Sequence, residues 1–350
     1  MIQMKASDLH ISVGAAPMLR INGELQKIKH PDLQKDETKH LLYEILTRQQ
    51  VERFENENTL DFAYTLEKKA RFRSNIFMQY HGMSATFRLI PLIIKNIKEL
   101  GLPDTVEEFA RLTRGLVLVT GPAGSGKSTT LAALVHLINQ ERKNHIITLE
   151  DPLEFIHENK SCLINQRQIG DHFKSFASAL RAAFREDPNV ILVGEMRDLE
   201  TIALAITAAE AGLMVLGTLH TASAAKTVDR IIDAFPQAQQ AQVRVQLSES
   251  LKGVIAQNLV PRADESGRIA VIEILVATPA VQNMIREGKT FQLLSTMQTG
   301  KKDGMQLFDQ SLQNHLNNKL ITPETAYKHA YNKGLFQPHL RLKAQDCVVN

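Results

Sequence analysis

The fold is decided by one stretch, Gly121-Pro122-Ala123-Gly124-Ser125-Gly126-Lys127-Ser128. This stretch matches the pattern G-x-x-x-x-G-K-[ST] in full. The apolar run 116–119 before it predicts a buried strand, and the apolar residues spaced along 129–139 predict a helix after it. A strand, a glycine-rich loop and a helix start make an anion site, because backbone N–H groups and the positive end of the helix dipole point at the same place.

The ligand that suits such a loop is a nucleotide. Residues Gly121 to Thr129 are expected to surround its phosphates. Lys127 can reach the β- and γ-phosphates, and Ser128 can hold Mg²⁺. The alternative, a chance glycine-rich turn, is disfavoured by the strand and helix patterns on either side. The expected cofactors are therefore ATP and Mg²⁺.

The composition is that of an ordinary soluble protein. Of 350 residues, 43% are hydrophobic and 23% charged, and 41 basic against 38 acidic residues give a net charge of +3. This balance gives no electrostatic argument for a nucleic-acid partner. We find no apolar run near 20 residues and no secretory signal, so we expect a cytoplasmic protein with at most peripheral membrane association. The two cysteines, Cys162 and Cys347, predict neither a metal site nor a disulfide framework.

The first 92 residues are predicted to form a small α+β domain. Strand candidates at 9–13 and 17–21 are followed by a turn at Asn22-Gly23 and by a polar helical stretch over roughly 36–55. An alternating hairpin with a turn near His81-Gly82 completes the domain. The hairpin carries Arg71, Arg73 and Arg88. From the pattern alone, a solvated strand face explains these arginines better than a binding role does.

A second domain is predicted over 105–350, after a linker at 93–104. Thr105-Val106-Glu107-Glu108 has the form of a capping box that opens a short helix, and Gly115 is expected to end that helix. Strand and helix patterns then alternate, which predicts a mostly parallel sheet with helices on both faces. The expected fold class is therefore α/β, with helices at the C-terminal end.

Four apolar runs in this domain each end in polar residues. They cover 116–119, 146–149, 190–193 and 214–217. They lead into the phosphate loop, Glu150-Asp151-Pro152-Leu153-Glu154, Gly194-Glu195 and Thr218-Leu219-His220. Because ligands of open α/β sheets sit at the carboxyl ends of the strands, we expect these polar groups to meet at one edge.

Glu195 is the predicted catalytic acid of this edge. It follows a wholly apolar strand, where Walker B acids sit, and Asp198 is already available to cap the next helix. Gly194 stands where a common Walker B motif has aspartate. Mg²⁺ is therefore expected to be held by Ser128 and the γ-phosphate, which leaves Glu195 free to polarise the attacking water.

The other polar groups at this edge have less specific patterns. Glu150, Asp151 and Glu154 place three acids within five residues, which suits the ordering of Mg²⁺ and its waters, although a charged turn would have the same composition. His220 is explained equally well as a phosphate-facing residue and as a hydrogen-bonded core histidine.

These motifs resemble those of the type IV pilus retraction ATPases, the PilT family of the secretion ATPase superfamily. The resemblance runs over nearly the whole chain, to about Lys333. The motifs that carry it are Ser7-Asp8-Leu9-His10, the loop from Gly121 to Thr129, Glu150-Asp151-Pro152-Leu153-Glu154, Gly194-Glu195-Met196-Arg197-Asp198-Leu199-Glu200-Thr201 and Gly217-Thr218-Leu219-His220-Thr221. Together they are far more specific than a phosphate loop alone.

The resemblance implies an architecture and an activity. It implies a PAS-like domain over 1–92 and a RecA-like ATPase domain over 105–350, assembled as a homo-hexamer. It implies ATP hydrolysis that powers pilus retraction and twitching motility through an inner-membrane platform protein, at the cytoplasmic face of that membrane. The implied roles are phosphate and Mg²⁺ ligands for Lys127 and Ser128, catalytic glutamate for Glu195, Asp-box glutamate for Glu154, γ-phosphate sensor for His220, and nucleotide contacts for Arg71, Arg73 and Arg88.

Some segments depart from the family pattern or extend it. Residues 280–287 resemble the segment AIRNLIRE, associated with retraction, with Gln282 in place of the usual arginine. Ala280 and Met284, together with Val281 and Ile285, are expected on its packed face. The chain begins shortly before Ser7, so the N-terminal helix usual in the family is expected to be short or missing. Residues 305–331 predict two amphipathic helices that cap the domain.

Three other functions share this core. A pilus assembly or type II secretion ATPase usually carries a longer N-terminal region and a four-cysteine metal insert, which two distant cysteines cannot supply. A nucleic-acid translocase would need a basic, aromatic-bearing channel, whereas aromatic residues make up 5% of this chain. An accessory retraction ATPase with weak hydrolysis is the third, and the intact loop, Glu195 and His220 argue for real hydrolysis.

Overall fold

The computed structural model describes residues 1–4, 6–21, 23–66 and 69–340. The predicted turn at Asn22, Cys347 and the last ten residues lie outside these ranges. The described chain divides into two compact units. The first comprises residues 1–93 together with 152–156, and the second comprises 94–151 and the chain from 157 onward.

The first unit is an antiparallel sheet with two helices. Its elements are β1 (Asp8–Ser12), β2 (Met18–Ile21), β3 (Glu24–Lys27), α1 (Lys35–Glu44), α2 (Arg48–Glu57), β4 (Thr59–Leu66), β5 (Ala70–Gln79) and β6 (Gly82–Ile90). The strand order is β3-β2-β1-β6-β5-β4, and every described pairing is antiparallel. Leu42 and Phe54 of the helices pack with Phe62 and Ile76 of the sheet, so helices and sheet share one apolar core.

The hairpin predicted around His81-Gly82 is present, and the helical stretch predicted over roughly 36–55 is divided into two helices, α1 and α2. The chain breaks at 45–47, because Thr47 starts a new helix. Its hydroxyl accepts a hydrogen bond from the Gln50 N–H, and the Gln50 side chain accepts one from the Thr47 N–H. This capping box lies inside the polar run, where the helical pattern concealed it. Strands β3 and β4 were not predicted.

The second unit alternates strands and helices around a seven-stranded sheet. Its elements are α3 (Asp104–Arg111), β7 (Gly115–Thr120), α4 (Lys127–Glu141), β8 (His145–Glu150), β9 (Leu163–Gln168), α5 (Phe176–Ala183), β10 (Val190–Val193), α6 (Leu199–Glu210), β11 (Met214–Leu219), α7 (Ala224–Asp233), α8 (Gln237–Ser250), β12 (Leu251–Pro261), β13 (Arg268–Val276), α9 (Pro279–Arg286), α10 (Leu293–Thr299), α11 (Phe308–Asn317) and α12 (Pro323–His329). The strand order is β13-β12-β7-β11-β10-β8-β9.

Only the pairing of β12 with β13 is antiparallel in the described sheet, and the other strands run parallel. Successive strand residues enter different cores. Leu116 and Leu118 pack on one face, and Val117 and Val119 pack on the other. Strands covered on both faces must be apolar throughout, which is why these runs lack polar alternation. The predicted α/β fold class is confirmed.

The start of α3 differs from the prediction. The helix begins at Asp104 behind Pro103, and no side chain caps it. Thr105 lies inside the first turn and is buried, and its hydroxyl donates to the carbonyl of Gly304 at 3.2 Å. Pro103 ends the extended backbone before the helix, so the helix starts before the expected capping threonine. Gly115 does not end the helix, which stops at Arg111, but begins β7.

The C-terminal part of the chain is helical, as predicted. In α9 the buried residues are Val281 and Ile285, two of the four residues expected on the packed face, whereas Ala280 is exposed and Met284 half-buried. Phe308 and Leu312 of α11 pack in a core with Ala326 of α12. These helices cover the β12–β13 end of the sheet, because Val260 and Val271 belong to the same core.

Candidate nucleotide site

The glycine-rich loop joins β7 to α4, as the sequence predicts. Its three glycines have backbone conformations that other residues rarely adopt, with φ of 143° at Gly121, 75° at Gly124 and 90° at Gly126. A Cβ on Gly121 would lie 2.2 Å from the carbonyl oxygen of Gln257. Gly126 is the N-cap of the 15-residue helix α4. The loop is therefore a backbone-lined cradle at a helix N-terminus, which fits a phosphate group.

Lys127, Ser128 and Thr129, at the end of the loop, are at least partly accessible. The Lys127 ammonium donates to the carbonyl oxygens of Gly121 at 2.7 Å and Pro122 at 3.0 Å. The lysine therefore bends back over its own loop. Ser128 is exposed and Thr129 is half-buried. A phosphate held by the loop would meet a positive charge and a hydroxyl at the same place.

Gln257 of β12 holds the loop from behind, and the sequence analysis missed it. The side chain is 3% exposed. Its amide nitrogen donates to the carbonyl of Ser125 at 2.7 Å, and its amide oxygen accepts from the hydroxyl of Thr130 at 2.8 Å. One side chain thus fixes both the loop and the first turn of α4. The available signal was a glutamine that directly follows the apolar run 254–256 of β12.

The parallel strands bring the predicted residues to one edge of the sheet. β11 lies between β7 and β10, with Leu219 opposite Thr120 and Gly217 opposite Val193. β8 lies beside β10, with Leu149 opposite Val193. Gly121 and His220 directly follow β7 and β11, Glu195 lies two residues beyond the end of β10, and Glu150 is the last residue of β8. The expected convergence at the carboxyl ends of the strands is present within the second unit.

Glu195 and His220 contact each other directly. Nε2 of His220 lies 2.7 Å from Oε1 of Glu195. The glutamate side chain is 14% exposed and the histidine 52%. His220 is therefore not a core histidine, which removes one of its two explanations. The pair presents an imidazole to solvent above a largely buried carboxylate.

Arg197 is a further partner of Glu195 that the sequence analysis missed. Its guanidinium forms an ion pair with the same carboxylate oxygen that His220 contacts. Burial raises the pKa of Glu195, but hydrogen bonds from Arg197 and His220 outweigh burial and leave the pKa below its usual value. The carboxylate therefore stays ionised into more acidic solution than an ordinary glutamate. The sequence signal that could have identified Arg197 is its position, two residues after Glu195.

Glu195, Arg197 and His220 line one cavity of about 380 Å³. Arg230 of α7 reaches the same cavity, and Met196, Ile202 and Leu219 contribute apolar walls. Two guanidinium groups and an imidazole around one opening favour an anionic ligand.

The acids after β8 divide between the two units. Glu150 is half-buried and accepts hydrogen bonds from the hydroxyl of Thr148 at 2.7 Å and the amide of Gln166 at 3.3 Å. Asp151 is exposed. Glu154 belongs to the first unit, where it lies 3.6 Å from Arg73. Within the second unit the loop, Glu195, His220, Glu150 and Asp151 lie on the same edge of the sheet.

The three hairpin arginines have partners within the first unit. Arg88 donates from Nε to the buried carboxylate of Asp8 at 2.8 Å. Arg71 donates to the carbonyl of Leu153 at 2.9 Å and to the hydroxyl of Thr65. Arg73 pairs with Glu154, as above. These arginines are therefore more than a solvated strand face, and their predicted contact with a nucleotide stays a prediction.

Ser128 is the residue expected to hold Mg²⁺. No group of three or more His, Cys, Asp or Glu side chains there could hold a metal ion. An exposed serine hydroxyl at the end of a phosphate loop fits a magnesium ion whose remaining ligands are phosphate oxygens and water.

Comparison with known proteins supplies the family. The profile of the type II/IV secretion system protein family matches residues 1–326. The chain is 49% identical to the twitching motility protein of Neisseria gonorrhoeae, over 95% of this chain and 88% of that protein. It is also 49% identical to the type IV pilus retraction ATPase PilT of Pseudomonas aeruginosa, over 93% of this chain and 94% of that one.

The chain belongs to the type II/IV secretion system protein family. Within this family it is similar to the PilT proteins. The crystal structure of the pilus retraction motor PilT with bound ADP superimposes with a TM-score of 0.87 and 44% identity, and covers 95% of both chains. The P. aeruginosa type IV pilus ATPase PilU is 37% identical over 94% of this chain and 86% of its own length.

These family relations confirm the resemblance inferred from the motifs. In the described part of the chain, no helix is both long and apolar enough to cross a bilayer.

Proposed function

We propose that this protein is an ATP-hydrolysing motor that powers type IV pilus retraction, and with it twitching motility. The observation that carries the proposal is the Glu195–His220 pair at 2.7 Å, on the sheet edge that also bears the phosphate loop. A phosphate cradle accounts for binding, and an ionised carboxylate beside it accounts for hydrolysis. The similarity to PilT, including a structure of PilT with ADP, supports this reading.

The residues of the loop bind and orient the triphosphate. The loop N–H groups and Lys127 neutralise phosphate charge, and Lys127 exchanges its carbonyl partners for phosphate oxygens. Ser128 would hold Mg²⁺, with Glu150 and Asp151 acting through water. When bound, Mg²⁺ supplies charge neutralisation at the transferred phosphoryl group. Positioning and charge neutralisation are the main requirements of phosphoryl transfer.

Glu195 accepts the proton of the attacking water, because it is ionised and largely shielded from solvent. His220 fixes the carboxylate through the contact at Oε1 and presents its exposed edge to the γ-phosphate. Arg197 competes for the same oxygen, so its departure would free the carboxylate for water. The roles of Glu195, His220 and Arg197 can be tested separately by substitution.

The motor works as an assembly at the membrane. We propose a homo-hexamer in which Arg71, Arg73, Arg88 and Glu154 complete a nucleotide site, and which engages an inner-membrane platform protein from the cytoplasmic side. A closed ring suits these roles, because a heterologous interface repeated by rotation gives every subunit the same neighbours. The 49% identity to PilT proteins over nearly their whole length supports this arrangement.

Surface pili counted after deletion of the gene in its native cell test the direction of the motor. Excess pili would support retraction. Absence of pili would instead indicate an assembly ATPase. Unchanged pili would indicate an accessory role, which the 37% identity to PilU makes the second candidate. A purified protein with DNA-stimulated turnover would point to the translocase and contradict the proposal.

A further inference from the structure

The loop that carries His220 is held at Thr221, at Ala222 and at Ala224, the residue that directly follows the loop. It spans 220–223, between β11 and α7. The hydroxyl of Thr221 lies 2.7 Å from that of Thr227. The carbonyl of Ala222 and the N–H of Ala224 have partners from distant parts of the chain. Because His220 is 52% exposed, packing alone does not fix it, and its position depends on these contacts.

The partner of Ala224 is Glu273, in the middle of β13. Oε1 of Glu273 accepts from the Ala224 N–H at 2.6 Å. The Ser223 hydroxyl and the Phe308 N–H lie close enough to this carboxylate to lower its pKa. Ala224 and Phe308 are the first residues of α7 and α11. Glu273 therefore caps α7 through Ala224 and lies near the start of α11, and no side chain of α7 supplies its own cap.

This carboxylate is costly to keep inside the protein. Its residue is 2% exposed, and burial raises its pKa in spite of the hydrogen bonds it accepts. A buried carboxylate is tolerated when donors such as helix N-termini compensate it, and an apolar residue would pack in its place at lower cost. Glu273 therefore contributes to the structure by fixing the position of α7, and of the loop before it, relative to β13.

The partner of Ala222 is Tyr331, beyond the end of α12. Its hydroxyl donates to the Ala222 carbonyl at 3.0 Å. The ring lies 4.9 Å from that of Phe308, between centroids, and the backbone N–H donates to Asp309 at 2.9 Å. The residue is nonetheless 60% exposed. The phenol ring thus packs at the start of α11, whereas the hydroxyl serves only the loop.

We infer that Glu273 and Tyr331 are positioning residues for His220, and that they fasten its loop to the C-terminal helices. The inference rests on the proposed ATP hydrolysis. Neither side chain touches the proposed nucleotide site, and both act by holding the backbone on either side of Ser223. The C-terminal helices, predicted from sequence as a cap, are then also the support of the catalytic histidine. Loss of either contact lets His220 move relative to Glu195.

The positioning role predicts a change in kcat without a change in KM. The phosphate loop does not depend on Glu273 or Tyr331, so the KM for ATP should stay near the wild-type value. The kcat should fall, by about five- to tenfold for the loss of one hydrogen bond of ordinary strength. A purely structural role would lower thermal stability without separating kcat from KM.

Tyr331→Phe is the variant that tests this, with Tyr327→Phe as the matched control. Tyr327 lies in α12 and packs in the same C-terminal core, with Lys333 over its ring. We expect Tyr331→Phe to lower kcat with KM and melting temperature unchanged, and Tyr327→Phe to leave all three unchanged. Wild-type kcat in Tyr331→Phe would overturn the inference, whereas absence of ATPase activity in the wild type would overturn the proposed function.

A double variant shows whether the effect passes through His220. In a His220→Ala background, Tyr331→Phe should cause no further loss, because residues acting through one another are not additive. Glu273→Gln should behave like Tyr331→Phe in both backgrounds. Independent, multiplicative losses in the double variant would contradict positioning through His220, even if each single variant is slow.

Discussion

Nε2 of His220 lies 2.7 Å from Oε1 of Glu195, although 24 residues separate them and each follows a different strand. The contact exists because β10 and β11 are parallel neighbours whose carboxyl ends reach the same edge. It joins an exposed imidazole to a shielded carboxylate. A group that can face a phosphate is thereby linked to a group that can take a proton from water.

Glu195→Gln should abolish turnover while sparing nucleotide binding. The amide cannot accept the proton of the attacking water, so kcat should fall by about 10²- to 10⁴-fold. ADP affinity should stay near the wild-type value, because the phosphate loop is intact. Steady-state ATPase kinetics and calorimetric titration with ADP check the two parts. Glu200→Gln, an exposed carboxylate paired with Arg181, is the matched control and should be active. Turnover near wild type in Glu195→Gln would remove its assignment as base.

Arg197→Gln should move the acid limb of the pH–rate profile to higher pH. The wild-type carboxylate has a lowered pKa, because hydrogen bonds from Arg197 and His220 outweigh the effect of burial. It therefore stays ionised below the usual glutamate value, and activity should be lost only as pH falls through this lowered pKa. Without the guanidinium the pKa rises, so protonation begins at higher pH. Arg181→Gln is the control, and coinciding profiles for Arg197→Gln and wild type would refute the ion pair as the cause.

Gln257→Leu should weaken both nucleotide binding and the fold. The substitution leaves the Ser125 carbonyl and the Thr130 hydroxyl without their buried partner, which costs about 1–3 kcal/mol per group. The phosphate loop loses its support, so ADP affinity should fall about tenfold or more if 1.4 kcal/mol of that cost is borne by binding. Calorimetry with ADP and a thermal melt measure the two effects. Gln246→Leu, whose amide contacts Glu210 near the surface, should change neither. Unaltered ADP affinity in Gln257→Leu would show that nucleotide binding by the loop does not depend on the hydrogen bonds of Gln257.

His157 should contribute to acid sensitivity. Burial lowers its pKa to about 4, and Nδ1 is buried without a hydrogen-bond partner in the described residues. The unfolded chain, with a pKa near 6.5, binds a proton first. Stability is therefore full above 6.5 and is lost as pH falls towards 4. His157→Gln should flatten the fall of melting temperature across this window. The exposed His81→Gln should not, and equal slopes for His157→Gln and wild type would contradict the assignment.

Local patterns were sufficient to predict the central sheet. Residues 116–119 and 190–193 are apolar throughout because both faces of the sheet are covered, and the phosphate loop follows from glycines at positions whose backbone conformation other residues rarely adopt. These features depend on residues close together in sequence, and few residue types satisfy them. The α/β class and the place of Glu195 could therefore be predicted. The family resemblance was confirmed by comparison.

Other features depend on partners distant in sequence. Gln257 contacts residues that lie 127 and 132 positions before it, and Glu273 contacts a residue 49 positions before it. The sequence around Gln257 or Glu273 does not indicate these partners. The signal that both share is a polar residue next to apolar residues of a strand, because a buried polar group must find a partner. The misplaced start of α3 has a local cause. Thr105 and Glu108 satisfied a capping pattern, but Pro103 starts the helix earlier.

The most direct test of the central claim is the number of surface pili on cells that lack the chromosomal gene and carry Glu195→Gln in its place. If this chain retracts pili by hydrolysing ATP at the Glu195–His220 pair, these cells should remain as heavily piliated as the deletion strain, while the wild-type gene restores normal numbers. Normal pilus numbers with Glu195→Gln, produced at wild-type protein levels, would contradict the account.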